Sequence, residues 1–498
     1  MVDKENLPLR NHQKTILAVL ALWSLSCLAA EPELPAGLGT LSSPTESGSE
    51  PSLPAGIGGS DGDEPPMPDG LDRDFDDTEN IDGGDAWALV DGDENAAGIA
   101  DISGFWELRL GSRLDDAPNQ RDLSLGEMRL ELEKDWQWQG FTAKVTADVL
   151  YDDVEPSQRN DLEIGAGWLD LREAWVQHRF GSNVDVKAGR QILTWGVGDL
   201  VFINDLFPKD WNSFLAGRDE QYLKAPSDAL RLGFYNDIIN INLIYTPRFD
   251  ADRYIDGRRL SFFSPLEGEV VGNNNILQVD KPDHSGSDAE WALRLYRQIA
   301  SYEVALYGYK GFWKSPGGFN PNNGLAIFPQ LQVLGVSARG TLGVGIVSLE
   351  AGYYHSKDDD NGDNPFINND EFRALAGYEW EWAKDTTINV QYYLEALQDY
   401  GAYRATLLPG QAPREEYRQL FTLRVTRLAM NQNLSLGLFV FYSPSDDDAY
   451  LRPKAHYKIN DNWAVEGGMN IFTGREKHSF FGQFEDNTNI YGGVRYSF

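Results

Sequence analysis

The stretch GRQILTWGVGDLVFINDLFPKDWNSFLAGRDEQYLKAPSDALR, from Gly189 to Arg231, joins two strand-like segments through a long connection without periodicity. A connection of this length is usually either functional or disordered. Its aromatic side chains argue against disorder; they are Phe202, Phe207, Trp211, Phe214 and Tyr222. We therefore interpret residues 196–228 as a folded loop, and the rest of the chain determines where that loop lies.

From Gly104 onward, segments of about ten residues alternate apolar with polar side chains, as transmembrane β-strands do. Clear examples are Glu127–Glu133, Phe141–Val149, Ile388–Glu395 and Phe421–Thr426. A soluble β-sandwich would also alternate, but its connections would be uniformly short. The lengths of the connections therefore decide between the two architectures.

Short turns and long polar connections alternate strictly along the chain. The long connections are 113–122, 151–168, 196–228, 247–289, 313–329, 356–370, 398–416, 443–449 and 473–488. Tight periplasmic turns and long external loops are typical of a barrel in the Gram-negative outer membrane. The sequence therefore predicts an all-β fold, a transmembrane antiparallel barrel of about 18 strands over residues 101–498.

The two ends of the chain support export to that membrane. Residues 1–30 place basic residues before the apolar run Ile16–Leu25 and small residues after it, which is the layout of a signal peptide. The last strand has an apolar face that ends in Tyr496 and Phe498. It resembles the signal by which the outer-membrane assembly machinery recognises its clients.

Residues 31–100 are rich in Pro, Gly and Ser and hold 18 acidic side chains against one basic side chain, Arg73. Such a segment buries too little apolar surface to fold, so we expect a disordered acidic tether. Its acidic clusters at 61–63, 74–77 and 91–94 have the oxygen ligands that Ca²⁺ prefers, but they lack EF-hand spacing. We expect no other cofactor.

Charge and composition exclude several classes of function. A net charge of −34 argues against binding to nucleic acid. The only cysteine, Cys27, lies in the leader, so the mature chain has no cysteine-based disulfide, zinc or haem site. Asp283 beside His284, and His355 near Asp358, are close in sequence but define no catalytic group, so we predict no enzyme.

The motifs Leu171–Val176, Gly189–Gln191 and Trp195-Gly196 resemble a family of Gram-negative outer-membrane barrels of mostly unknown function, similar to alginate-export porins. In alginate exporters the pore is lined by basic residues. The resemblance implies that role for Arg172, Arg190, Arg218, Lys224 and Arg231, and the acidic residues among them are Glu173, Asp199, Asp205, Asp219 and Glu220. We take these ten residues as candidates for the pore lining and its constriction.

Arg190 conflicts with this assignment, because strict alternation puts it on the lipid-facing side with Val186 and Ala188. A bulge at Gly189 would turn Arg190 inward, and we favour it. The alternatives are that the strand is already at the membrane rim, or that Arg190 pairs with Glu173 across the wall.

The leading functional hypothesis is a porin for small polar or charged solutes, constricted by the third long loop folded inward. Aromatic residues would wedge this loop against the wall, and Arg218, Asp219, Glu220 and Lys224 would face the pore opposite Arg172 and Glu173. The alternatives are an export channel for an acidic polysaccharide and a scaffold barrel that holds a partner through residues 31–100. The expected partners are outer-membrane lipid and lipopolysaccharide, the assembly machinery and a small solute, in a homotrimer or a monomer.

Overall fold

The computed structural model describes residues 102–155, 159–407 and 411–498. The predicted signal peptide, the acidic segment 31–100 and its candidate Ca²⁺ clusters lie outside these residues. In the part that is described, eighteen strands form one sheet, and each strand pairs antiparallel with the next around the barrel.

The barrel wall and the smaller elements account for the described secondary structure. The wall strands are β1 (Ser103–Arg113), β2 (Leu123–Trp138), β3 (Phe141–Asp152), β4 (Leu169–Phe180), β5 (Val184–Ile192), β6 (Pro226–Phe234), β7 (Asn240–Thr246), β11 (Glu290–Ile299), β12 (Tyr302–Phe312), β15 (Gln330–Leu342), β16 (Gly345–Ser356), β17 (Glu371–Ala383), β18 (Thr386–Leu397), β19 (Tyr417–Ala429), β20 (Leu434–Ser443), β21 (Asp448–Lys458), β22 (Trp463–Gly474) and β23 (Asn489–Ser497). Short strands within the loops are β8 (Phe262–Ser264), β9 (Glu269–Val271), β10 (Val279–Asp280), β13 (Gly318–Asn320) and β14 (Leu325–Ile327). The helices are α1 (Trp211–Ala216), α2 (Tyr400–Thr406) and two 3₁₀ turns (Glu220–Leu223 and Gly482–Asn487).

The sheet closes on itself where the last strand meets the first. β23 pairs with β1 from Phe105 opposite Ser497 to Arg113 opposite Asn489. Beyond this ladder, Gly104 and Phe498 exchange two backbone hydrogen bonds of 3.1 and 3.0 Å. Closure leaves no unpaired edge, which is what a β-structure needs in order to cross a bilayer. The predicted antiparallel barrel of about 18 strands is confirmed.

One end of the barrel carries short turns and the other carries long loops, in the predicted alternation. The turn after β2 is typical of the short connections: Gln139 and Gly140 both have positive φ, as a two-residue type I′ turn requires. The connection after β5, residues 193–225, is one of the long ones. Short turns lie on the periplasmic side of an outer-membrane barrel and long loops on the external side.

The outward face of the wall is apolar and about half exposed in the isolated chain. Leu108, Leu306, Val336 and Leu349 are exposed there because alternation turns them away from the interior. Trp136, Trp138, Trp382 and Trp463 are exposed near the short-turn end, where aromatic girdles meet lipid headgroups. The chain is thus a multi-pass β-barrel of the outer membrane.

Among the described residues, no helix has the length and apolar character needed to cross a membrane.

The main apolar core lies inside the barrel, between a long loop and the inward-facing aromatic side chains of the wall. It contains Phe207 and Phe214 from residues 193–225, together with Tyr354 of β16, Tyr450 of β21 and Phe472 of β22. A core in this position brings a loop into the lumen and holds it there, because leaving would expose that apolar surface to water.

Candidate pore constriction

The third long connection, residues 193–225 (L3), enters the lumen against Glu350 of β16. One carboxylate oxygen of Glu350 accepts the backbone N–H groups of Val197 and Gly198 at 3.0 and 3.1 Å. The other oxygen accepts the N–H of Asn204 at 2.7 Å. One buried side chain therefore fixes residues 197–204 of L3 at both ends, because a carboxylate accepts several hydrogen bonds at once.

L3 next contacts the wall at β18 and β19 through Asp199. Its N–H donates to the side chain of Gln391 at 2.7 Å, and the Gln391 amide donates back to its carbonyl at 2.8 Å. Its carboxylate accepts two hydrogen bonds from Arg424, of 2.7 and 2.8 Å. Burial and the nearby Glu220 raise the pKa of Asp199, while Arg424 lowers it. This predicted site residue lies inside the barrel, bound to the wall.

The middle of L3 is the short helix α1, which packs on the aromatic core. Asp210 caps its first turn by accepting the N–H of Ser213 at 2.7 Å. The ring of Phe214 lies 5.8 Å from that of Tyr450 and 6.2 Å from that of Phe441. The helix ends at Gly217, which has φ of +96° and lies so close to the Tyr491 ring that a Cβ would come within 2.4 Å of it. Glycine is required there for both reasons.

Three consecutive charged residues after α1 reach three parts of the wall. Arg218 binds Glu127 of β2 at 2.7 Å, and Asp219 binds Arg495 of β23 at 3.0 Å. Glu220 binds Arg424 of β19 and Arg452 of β21 at 3.4 and 3.3 Å. Ion pairs therefore fix this segment to the wall on several sides and compensate its charges.

Electrostatics around these residues depend on the wall cations. Burial alone would raise the pKa of Asp219, but Arg495, Lys454 and Arg109 hold it well below its usual range. Burial likewise opposes ionisation of Glu220, yet Arg424 and Arg452 lower its pKa. Both carboxylates are therefore negatively charged at neutral pH.

The end of L3 returns to β2 and β4 around Tyr222. The guanidinium groups of Arg129 and Arg172 lie 4.0 and 4.2 Å from the Tyr222 ring centroid, and its hydroxyl donates to Glu131 at 3.1 Å. Arg172 also donates to the carbonyl of Gln221 at 2.8 Å and approaches that of Lys224 at 3.5 Å. Arg172 and Lys224 therefore lie together, with Arg172 holding L3 through its backbone.

Arg172 and Glu173 are neighbours in sequence, yet both side chains turn into the lumen. The pairing of β3 with β4 shifts between Thr146, opposite Glu173, and Ala147, opposite Leu171. This bulge adds Arg172 as an extra residue on β4, so the alternation is interrupted there. Glu173 accepts a hydrogen bond from the indole N–H of Trp175 at 3.0 Å and lies 3.6 Å from Lys144. The predicted contact of Glu173 with L3 charges is replaced by these wall contacts.

The bulge predicted at Gly189 is wrong, and so is the pore-lining role of Arg190. The pairing of β5 with β6 is regular through Ile192 and keeps Arg190 opposite Asp228, whose side chain is 54% exposed. Arg190 stays on the outward face two residues before β5 ends, at the rim. Its guanidinium donates to the carbonyls of Leu171 and Leu162 and lies 3.4 Å from Asp228. One carbonyl of β4 and one of the preceding loop thus form hydrogen bonds with a charged group that lipid could not satisfy.

Asp205 and Arg231 also differ from the predicted constriction. Asp205 is buried, pairs with Lys209 of the same loop at 2.8 Å and accepts the Thr194 hydroxyl at 2.8 Å. It therefore stabilises the fold of L3 and does not line the lumen. Arg231, on β6, donates to the Tyr235 hydroxyl at 3.3 Å near the short-turn end, away from the charged segment of L3.

A second loop, residues 247–289 (L4), also enters the barrel. The sequence analysis did not predict this position for L4. Arg253 binds Asp170 of β4 through two hydrogen bonds of 2.8 Å and lies 3.4 Å from Asp210 of L3. Arg259 is 1% exposed, pairs with Asp152 and lies 3.4 Å from Glu127. Two features of the sequence could have predicted that L4 enters the barrel: the arginines Arg253 and Arg259 in this loop, and the acidic residues at inward positions of the strands.

The histidine pairs considered from sequence differ in their exposure and in their partners. His284 is 81% exposed beside Asp283, at 3.1 Å. His355 pairs with Asp370 at 2.9 Å, whereas Asp358 accepts the N–H of Gln330. Asp283, His284 and Asp288 bring three possible metal ligands within 4.8 Å of one another, on an exposed part of L4 where water competes for any ion.

The chain is similar to one protein family and to several solved structures. A family model described as "Protein of unknown function (DUF1302)" matches residues 115–407. A mutant of the Rh. blastica porin is 12% identical over 80% of this chain and 99% of its own, with a TM-score of 0.35. Acinetobacter baumannii OccAB3 is 11% identical over 80% and 100%, with a TM-score of 0.46. Pseudomonas aeruginosa OccK11 (OpdR) is 9% identical over 80% and 95%, also with a TM-score of 0.46. None of the curated proteins compared with the chain matches it.

Proposed function

The chain belongs to the DUF1302 family, which is described only as proteins of unknown function, and we propose that it is an outer-membrane channel for passive passage of small polar or charged solutes. L3 forms its constriction. The observation that carries this proposal is the path of L3, which bonds to inward-facing side chains on β2, β16, β19 and β23. A loop that reaches strands so far apart around the wall lies across the lumen and narrows it.

Side chains of both signs of charge border the lumen. This supports passage of polar solutes that carry a weak positive or a weak negative charge. The side chains of Glu133 and Lys144 are 30% and 23% exposed on one part of the wall. Those of Lys454 and Arg495 are each 22% exposed on another. Charges on separate parts of a narrow pore orient a polar solute and set a modest selectivity.

Export of an acidic polysaccharide has less support. A polyanion channel needs cations that are free to bind the passing chain. Arg218, Arg424, Arg452 and Arg495 are instead paired with carboxylates of L3 or the wall. A scaffold role would depend on residues 31–100, and deleting them while measuring conductance separates that role from transport.

Single-channel recording in planar bilayers tests the proposal. We expect the full-length mature protein to form pores, and a variant in which a short Gly-Ser linker replaces Asp199–Lys224 to conduct more and to admit larger neutral polymers. The control removes residues 401–410 from another long loop, whose helix α2 buries no side chain. A shortened L3 variant that is folded but conducts as the parent does would contradict the constriction, and a parent without conductance would contradict the channel.

A further inference from the structure

A cavity of ≈ 320 Å³ lies at the long-loop end of the barrel, bordered by residues 161–167, by L4 and by the start of α1. Its volume is in the range of small-molecule sites. Eight carboxylates and six basic side chains line it. The chemistry of its ligand depends on which of these charges are already compensated.

The basic side chains of the cavity all have carboxylate partners. Arg218 pairs with Glu127 at 2.7 Å, Arg253 with Asp170 at 2.8 Å and Arg258 with Asp256 at 2.6 Å. The remaining pairs are Arg190 with Asp228, Arg259 with Asp152 and Lys281 with Glu163. An anionic solute would have to displace a carboxylate to bind any of these cations, at the cost of leaving a charge unpaired.

Several carboxylates of the cavity accept hydrogen bonds but form no ion pair. Among the described residues, Asp161, Asp250 and Asp252 form no ion pair. Asp250 accepts the N–H of Asp228 at 3.0 Å, and Asp252 accepts the N–H of Lys209 and the indole N–H of Trp211 at 2.8 and 3.0 Å. Burial raises the pKa of Asp252 and raises that of Asp250 to about 6. Such shifts are expected where a carboxylate lacks a full countercharge.

An aromatic ring accompanies these carboxylates. Tyr254 lines the cavity, and its ring packs 5.9 Å from that of Phe328. Burial, together with the carboxylates of Asp256 and Asp161, raises the pKa of the Tyr254 hydroxyl to about 12, although Arg258 acts to lower it. The hydroxyl therefore lies near two acidic groups, one of which, Asp256, is paired with Arg258. An aromatic face beside carboxylates is the combination that binds organic cations.

We propose that this cavity binds a small organic cation, a primary alkylammonium or a guanidinium, between Tyr254 and the carboxylates of Asp161, Asp250, Asp252 and Asp256. The cavity then concentrates cationic solutes at the external mouth of the channel. This role in transport rests on the proposed channel function, whereas the binding itself does not.

Three linear probes of similar length test the charge requirement: 1,5-diaminopentane, 1,5-pentanediol and glutarate. Titration calorimetry on the full-length mature barrel in detergent should detect the diamine at an affinity at least about tenfold above those of the diol and the dianion. In bilayers, the diamine added to the long-loop side should interrupt the current. Tighter binding of glutarate than of the diamine would overturn the proposal.

Charge-neutral variants identify the side chains involved. The double variant Asp161→Asn/Asp256→Asn should weaken diamine binding by about tenfold or more, and Arg258→Gln should strengthen it because Asp256 loses its competing partner. The control, Asp237→Asn/Asp461→Asn, makes the same change of charge at exposed positions of the short turns, at the opposite end. Unchanged affinity in a folded Asp161→Asn/Asp256→Asn barrel would overturn the assignment.

The two measurements separate this proposal from the channel function. A barrel that binds the diamine but does not conduct retains the site and loses the channel. A barrel that conducts, yet shows no preference among the three probes, retains the channel and loses the site.

Discussion

The guanidinium of Arg424 on β19 donates to both carboxylate oxygens of Asp199 in L3, at 2.7 and 2.8 Å. The same arginine lies 3.4 Å from Glu220, at the other end of L3. Two distant parts of the loop are therefore neutralised and positioned by one wall residue. Hydrogen bonds between charged groups of this kind stabilise by about 1.5–3 kcal/mol each.

We expect Arg424→Gln to leave Asp199 without its counter-ion and Glu220 with Arg452 alone, and to shift ion preference toward cations. The measurement is the reversal potential in a salt gradient across a planar bilayer. Arg427→Gln is the matched control, because Arg427 is on the same strand but exposed on the other face. An unchanged reversal potential for Arg424→Gln would mean that Asp199 and Glu220 do not border the ion path.

Glu350 is the residue whose loss should loosen L3 most. Its carboxylate holds three backbone N–H groups of the loop. Replacing it with alanine leaves these donors unsatisfied, at a cost on the order of 3 kcal/mol. We expect Glu350→Ala to give a noisier, larger conductance and faster proteolysis within L3 in a barrel that still closes. Glu350→Gln, which keeps one acceptor, should be intermediate.

The control for Glu350 is Glu303→Ala, because Glu303 on β12 pairs with the wall residue Arg294. It should leave the proteolysis of L3 as in the parent. A Glu350→Ala protein with quiet, parental conductance and an intact L3 would show that the aromatic core alone holds the loop.

The barrel was predictable because lipid selects a period of two along every strand, and because loop lengths differ at the two ends. The contacts that L3 makes with the wall were not predictable from the sequence. Asp199 meets Arg424, and Asp219 meets Arg495, across sequence separations of 225 and 276 residues. No local pattern specifies such partners, because polar and charged side chains recur at many inward positions of the strands.

The bulge was predicted on β5 and lies on β4 for a related reason. A glycine before a charged residue suggested that β5 was interrupted at Gly189, yet β5 keeps its register there. The interruption lies on β4, where Arg172 is the extra residue and no glycine marks it. Alternation alone cannot distinguish an inward arginine at a bulge from an outward arginine at the rim.

Arg190 and Arg172 should therefore respond differently to the same substitution. Arg190→Gln removes a cation from the rim, where it holds carbonyls of residues 162 and 171, so we expect parental ion selectivity. Arg172→Gln removes a cation from the lumen and a support of L3, so both selectivity and conductance should change. Reversal potentials of the two variants, measured side by side, check this. A change of selectivity in Arg190→Gln alone would instead mean that Arg190 lines the pore.

Binding of an organic cation at the external cavity should depend on pH through Asp250. Burial, with smaller contributions from the carboxylates of Glu290 and Asp228, raises the pKa of Asp250 to about 6, although Lys314 and the N–H of Asp228 act to lower it. A carboxyl with a raised pKa is largely neutral at pH 5 and charged at pH 7.5. Affinity for 1,5-diaminopentane should therefore fall as the pH decreases through 6, in calorimetric titrations. Asp250→Asn should lower the affinity and flatten this profile. A parental profile in that variant would exclude Asp250.

Phe498 has two separable roles at the seam where the barrel closes. Its backbone exchanges hydrogen bonds with Gly104, and its ring, 47% exposed, lies 6.3 Å from that of Tyr496 on the outward face. Deleting Phe498 removes both features, whereas Phe498→Ala keeps the backbone pair and removes only the ring. If the terminal ring is the feature that the assembly machinery reads, both variants should reach the periplasm normally and both should assemble poorly. If closure depends on the backbone pair instead, Phe498→Ala should assemble as the parent does and only the deletion should fail.

The readout is the heat-modifiable fraction in isolated outer membranes. Ile490→Ala is the matched control, because Ile490 is on the same strand with the same 47% exposure but distant from the terminus. We expect the ring to be required, and normal assembly of Phe498→Ala would contradict that expectation.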